Sequence, residues 1–145
     1  MVKENNKSKM KSWLFPLTIA VILWGIAAFL RKKAVFFLPP QSALTFEIFG
    51  GVLMVIIILA LTGGQLVREP RGAFFGVLTG LLAVGGTFFI FRALKEGPVS
   101  IITSFTALAI VITVVLGVTV LHEKLLPHHI AGIAMGIAAA ILLSF

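Results

Sequence analysis

The sequence contains no cysteine, no aspartate and no tyrosine, and its acids amount to five glutamates, Glu4, Glu47, Glu69, Glu96 and Glu123. Without cysteine there can be no disulfide, no thiolate nucleophile and no Cys-ligated metal. No pair of carboxylates, catalytic triad or phosphate-binding glycine loop is present. The glycines of 80–86 fall inside an apolar run, which is no place for a nucleotide loop. The sequence therefore predicts neither an enzyme nor a cofactor. Charge is scarce as well: charged residues make up 12% of the chain, against about 25% in an ordinary globular protein. The 12 Lys and Arg leave a net charge of +7. They lie in short clusters between apolar runs rather than on a basic face with interleaved aromatics, so no nucleic-acid partner is expected.

What the chain has in abundance is hydrocarbon, with 59% hydrophobic residues in 145. Crossing a core of about 30 Å takes about 20 apolar residues in a helix. Five runs have about that length: 13–30, closed by Arg31-Lys32-Lys33; 42–62, opened by Pro39-Pro40 and closed by Gly63-Gly64; 72–94; 99–121, opened by Gly97-Pro98; and 126–145, with Pro127 in its first turn. None alternates with the period of a strand, and a membrane barrel would need more and shorter segments. The expected fold class is an all-α membrane protein, a bundle of five transmembrane helices over 13–145 behind a polar tail of residues 1–12. The first run is expected to be retained, because three cations follow it where a signal-peptide cleavage site should lie. Short connections make consecutive helices antiparallel. One side of the membrane then holds Lys3, Lys7, Lys9, Lys11, Arg68, Arg71 and Lys124, and the other Arg31, Lys32, Lys33, Arg92 and Lys95. Seven cations against five put the N-terminus in the cytoplasm by a small margin. Membrane lipids are the surrounding partner.

Polar residues inside such spans are costly and usually face the bundle interior or a wet cavity. Glu47 lies about 10 Å into the second span at 1.5 Å per residue. Its helical neighbours Ala43, Gly50 and Gly51 leave a low-bulk groove beside it. Three readings stand: a titratable site for coupling or cation binding, a structural ion pair with Arg92, or a carboxylate snorkelling to the interface. In the fourth span Ser100, Thr103 and Ser104 share a face. They line a polar path or bond back to their own helix. Gly132, Gly136 and Ala140 recur four apart in the fifth span, the spacing that lets helix backbones approach, and mark a candidate dimer contact. Glu123, His122, His128 and His129 read as interfacial, and no metal-ligand spacing emerges.

The segment Phe91-Arg92-Ala93-Leu94-Lys95-Glu96-Gly97-Pro98-Val99-Ser100 resembles the junction of the third and fourth helices in the EamA family of the drug/metabolite transporter superfamily. Thr106-Ala107-Leu108, Leu121-His122-Glu123-Lys124-Leu125, Gly132 and Trp24-Gly25 continue the likeness over about 13–145. Ile110 stands where the family pattern usually has proline, which removes the residue that would break the fourth helix. Larger members resemble two such repeats in tandem, and this chain resembles one. The resemblance implies a multi-pass secondary transporter of small organic metabolites or cations in the cell membrane, ion-coupled and working as a homodimer. An antiparallel dimer would restore the inverted pair of repeats. Glu47, Trp24, Ala43, Gly50, Gly51, Arg92, Ser100, Thr103 and Ser104 would line the pathway. A flippase for lipid-linked precursors, or a membrane scaffold, is the alternative.

Overall fold

The computed structural model describes residues 13–67 and 69–142. The expected polar tail, Arg68 and the last three residues of the fifth run lie outside them. Among the described residues six helices follow in order: α1 Leu14–Phe37, α2 Pro40–Leu61, α3 Pro70–Glu96, α4 Val99–Thr106, α5 Ala109–Thr119 and α6 Pro127–Leu142. No strand occurs among the described residues. The protein is all-α and multi-pass. Four segments, α1, α2, α3 and the α4–α5 stretch, are long and apolar enough to cross a membrane, and α6 is a shorter apolar helix. Large apolar side chains stand exposed on all of the helices, which water would penalise and lipid does not.

The helices stop where the chain's prolines and glycines require it. Leu38, ahead of Pro39, is extended at φ −126°, ψ 148°, since a following proline disfavours helical backbone. Pro39 then accepts the N–H groups of Ser42 and Ala43 at 3.0 Å each, opening α2 with Pro40 in its first turn. At the other end of α2 the Gly64 N–H reaches back to the Leu59 carbonyl at 2.7 Å, while Gly63 and Gly64 take φ of 76° and 68°. This left-handed backbone satisfies the last carbonyls of the helix and suits glycine. At α3 the Glu69 carboxylate accepts the Gly72 N–H, and the Glu69 carbonyl accepts that of Ala73 at 2.9 Å. A side-chain oxygen thus serves a free donor of the first turn.

Two boundaries differ from the sequence expectation. The first helix does not end at Arg31-Lys32-Lys33 but runs through them to Phe37. Cations at membrane depth need a partner or a route to the interface, not a helix end, and the stop comes only at Pro39. The fourth span, expected to be continuous, is divided at Ala107 and Leu108 without a proline. Thr106 Oγ1 donates to the Thr103 carbonyl at 2.7 Å, the oxygen that the Ala107 N–H would meet in a regular α-helix. Ala107 N–H bonds to Ser104 O instead, Leu108 N–H to Phe105 O, Ile110 N–H to Ala107 O and Val111 N–H to Leu108 O. These are the tighter i→i+3 bonds of a 3₁₀ turn, and hydroxyl back-bonding is a known cause of helix bending.

The chain forms two compact units, the first through Phe91 and the second from Arg92 on. In the first, α1 and α2 pack as a hairpin, with Val35, Ala43 and Phe91 buried. In the second, α6 packs against both α4 and α5, with Gly117 and Ala140 buried.

Candidate functional site

The α1–α2 hairpin determines what meets Glu47. Arg31 lies six residues before the end of α1 and Glu47 seven residues after the start of α2. At 1.5 Å per residue both stand about 10 Å from the turn, and the antiparallel helices bring them level. Arg31 Nη2 donates to Glu47 Oε1 at 2.6 Å, and Nε donates to Oε2 at 2.9 Å. A further Nε contact to Oε1 measures 3.2 Å. This is the two-pronged arrangement in which a planar guanidinium matches a carboxylate. The side chains retain 26% and 32% of their accessible surface, so the pair is half-buried.

The pair forms part of the wall of a cavity of about 310 Å³, lined otherwise by Ala27, Leu30 and Ala34 of α1, Leu38 just past its end, Ala43 and Phe46 of α2, and Phe91 of α3. The α1 residues follow the i, i+3, i+4, i+7 pattern of one helix face. Three residues of the cavity wall, Ala27, Ala34 and Ala43, are alanines, which leaves room beside the charges. The cavity is therefore an apolar chamber with one cationic and one anionic group on its wall. A small molecule with an apolar body and a charged end fits that description.

Arg31, not Arg92, is the cation that Glu47 holds. Arg92 is an exposed residue of the second unit. Sequence position favoured Arg92 because the first span was read as ending at Leu30, which placed Arg31 in a loop. A signal for the true partner was present: Arg31 and Glu47 each lie eight residues from Pro39, and a helical hairpin pairs equidistant positions. Ala43 is buried and lines the cavity with Glu47, as its place one turn earlier implied. Trp24 stands exposed outside that lining. Gly50 and Gly51 face open space, with no atom within 4 Å of where a Cβ would sit.

In the second unit the hydroxyl face turns inward on its own backbone. Thr103 Oγ1 donates to Val99 O at 2.7 Å and Ser104 Oγ to Ser100 O at 2.8 Å. Of the two readings of this face, back-bonding describes Thr103 and Ser104. Ser100 contributes its carbonyl. On α6, Gly132 and Gly136 meet nothing within 4 Å, whereas Ala140 is covered by the chain itself. The stripe is therefore divided between open and packed positions.

Glu123 is the other acid whose placement the sequence left open. His122 takes φ 53°, a left-handed conformation that a few non-glycine residues tolerate. That turn sends the Glu123 N–H back to Gly117 O at 3.1 Å. The carboxylate folds over Gly117, where a Cβ would stand 3.0 Å from Oε2. Glu123 thus closes the end of α5, beside a cavity of about 380 Å³. His129 Nδ1 accepts the Leu126 N–H at 3.4 Å at the start of α6. No cluster of metal-ligating side chains exists among the described residues.

The family model described as the EamA-like transporter family matches residues 11–145. The chain belongs to that family. It is 31% identical over 126 residues to the aromatic amino acid exporter YddG of Ancylobacter novellus, covering 86% of this chain and 43% of the exporter. It is 25% identical over 126 residues to an uncharacterised protein of Methanocaldococcus jannaschii, covering 87% of this chain and 91% of that protein. The EamA chain thus spans less than half the length of the exporter and nearly all of the archaeal relative. No solved structure matches it.

Proposed function

We propose that this chain is a secondary active transporter of small organic metabolites in the cell membrane, and that its substrates carry both a carboxylate and an amine on an apolar body. The observation that carries the reading is the Arg31–Glu47 pair on the wall of an apolar cavity in a chain of a transporter family. An amino acid zwitterion can replace the pair's internal contacts with two of its own, carboxylate to Arg31 and ammonium to Glu47. Its side chain then occupies the space left by Ala27, Ala34 and Ala43. Charges exchange partners without being stranded, which keeps the desolvation cost small. The relative named as an aromatic amino acid exporter supports an aromatic side chain in that space.

Ion coupling follows from the same competition. A coupling cation and the substrate's ammonium would both contend with Arg31 for the Glu47 oxygens. The working unit in this reading is a homodimer of the domain 13–145. The 43% share of the exporter supports it, because two chains approach that length. The seven-to-five division of cations permits insertion in both directions and hence an antiparallel pair, the arrangement on which alternating access is often built. With a single orientation, the same count puts the N-terminus in the cytoplasm.

The test is counterflow of labelled phenylalanine, a matched amine and a matched carboxylate in proteoliposomes, with and without a pH gradient. Saturable exchange of the zwitterion, inhibited weakly by either half-analogue, is expected. Absence of saturable exchange for all three would exclude the proposal.

A further inference from the structure

The end of α5 holds a carboxylate that no described cation engages. Thr113, Leu116, Gly117 and Val120 fall at i, i+3, i+4 and i+7, so they share one face of α5 and of the residue that ends it. With Leu121 and Glu123 they line the cavity of about 380 Å³. The turn at His122 folds Glu123 back over that face. Its N–H meets Gly117 O, and its carboxylate lies against the bare backbone of Gly117, with Oε2 3.0 Å from where a Cβ would stand. Glycine at 117 is what gives the carboxylate its seat, because any side chain there would push it away.

The charge on that seat is uncompensated. The ion pair among the described residues is Arg31–Glu47. Lys124 and the histidines of the same loop, His122, His128 and His129, therefore stand beyond ion-pair distance of Glu123. The carboxylate also lies at the C-terminal end of α5, where a helix presents partial negative charge. Two negative features meet at one point, and both favour a cation. The other polar side chain of the cavity, Thr113, donates its hydroxyl hydrogen to Ala109 O at 3.1 Å, which leaves Oγ1 as an acceptor. The polar side chains of the cavity thus accept hydrogen bonds and offer none. Leu116, Val120 and Leu121 supply an apolar wall, 53%, 65% and 70% exposed. The volume falls within the range of about 300–1,000 Å³ of small-molecule sites.

We propose that this cavity binds an organic monoammonium ion with an apolar body, its N–H groups on the Glu123 carboxylate and its body along Leu116, Val120 and Leu121. Charge-assisted hydrogen bonds hold the head, and burial of apolar surface holds the body. The chemistry differs from that of the Arg31–Glu47 cavity, where a cation and an anion stand side by side. A zwitterion finds both partners there. At Glu123 the carboxylate of a zwitterion would meet a second carboxylate and a helix C-terminus. The site therefore selects amines over amino acids, and it stands independently of the transport reading.

Equilibrium dialysis of labelled phenethylammonium against the purified full chain in nonionic detergent, near neutral pH and with protein-free micelles subtracted, tests this. Saturable binding is expected, displaced by unlabelled phenethylammonium but not by phenylpropionate or by sodium at the same concentration. Binding should persist in the Arg31→Gln/Glu47→Gln protein, which lacks the charges of the first cavity. Glu123→Gln should weaken it about tenfold, the loss of one charge-assisted contact. Leu121→Lys, which tethers an ammonium beside the carboxylate, should weaken it to a similar extent, whereas Leu121→Gln, polar but uncharged, should not. That second pair decides the matter if Glu123→Gln folds poorly. Undiminished affinity in Glu123→Gln, or loss of binding in the Arg31→Gln/Glu47→Gln protein, would overturn the proposal. So would displacement by phenylpropionate as effective as that by the amine, or displacement by sodium, which marks an inorganic cation site.

Discussion

Arg31 and Glu47 are sixteen positions apart in sequence and meet in a two-pronged ion pair, 2.6 Å at its shortest, across the α1–α2 turn. The contact joins two helices of the first unit at membrane depth. It also places the only acid of α2 beside a cavity rather than against lipid.

Breaking one side of the pair should cost more than removing both. Glu47→Gln leaves the Arg31 charge without its carboxylate. A fully buried pair would lose about 3–5 kcal/mol on such a change, and the partial exposure of this one reduces the expectation to about 1–3 kcal/mol. Arg31→Gln together with Glu47→Gln should recover much of that loss, while Arg92→Gln in place of Arg31→Gln should not. Unfolding in detergent, analysed as a double-mutant cycle, measures the coupling. Coupling to Arg92 equal to that with Arg31 would refute the pairing.

The glycines should separate sharply by backbone conformation. Gly63→Ala and Gly64→Ala put a side chain at φ near +70° and should each destabilise by about 1 kcal/mol. Gly50→Ala and Gly51→Ala meet open space inside a helix and should be neutral or stabilise by up to about 1 kcal/mol. Thermal unfolding of the four variants under one detergent condition distinguishes the groups.

Thr106→Val should straighten the fourth span. Removing the hydroxyl frees the Thr103 carbonyl for the Ala107 N–H, which restores the α-helical bond at the break. Spin labels at 101 and 115 should then move towards the separation of a continuous helix, about 21 Å between backbone positions. An unchanged label distance would show that the 3₁₀ turn has another cause.

Gly136→Leu bears on the proposed dimer. Gly136 faces open space on α6, so a leucine there fits the single chain but blocks close approach of a second backbone. The dimer fraction by light scattering should fall several-fold with insertion unaffected, whereas an unchanged fraction would move the contact off this stripe. Ala140→Leu is the contrasting case. Ala140 is buried within the chain, and overpacking there should cost about 1–3 kcal/mol of stability whatever the oligomeric state.

The amino-acid sequence by itself determined the all-helical membrane class, the number of apolar segments, and the helix ends marked by Pro39-Pro40, Gly63-Gly64 and Gly97-Pro98. Those features rest on local physics: run length against bilayer thickness, and the backbone restrictions of proline and glycine, neither of which needs a distant residue. It also marked Glu47 and Ala43 as neighbours on one helix, because a helical repeat fixes spacing along a single element. Tertiary structure decided the rest. Which cation meets Glu47 depends on the register of two antiparallel helices, and that register turned on α1 continuing past its three basic residues to Phe37. Which acceptor the hydroxyls of α4 meet depends on what lies nearer in space, and for Thr103, Ser104 and Thr106 it is a carbonyl of the preceding turn. The break at Ala107 and Leu108 was hidden for the same reason: a side-chain hydroxyl competing for one carbonyl leaves no signature as plain as a proline.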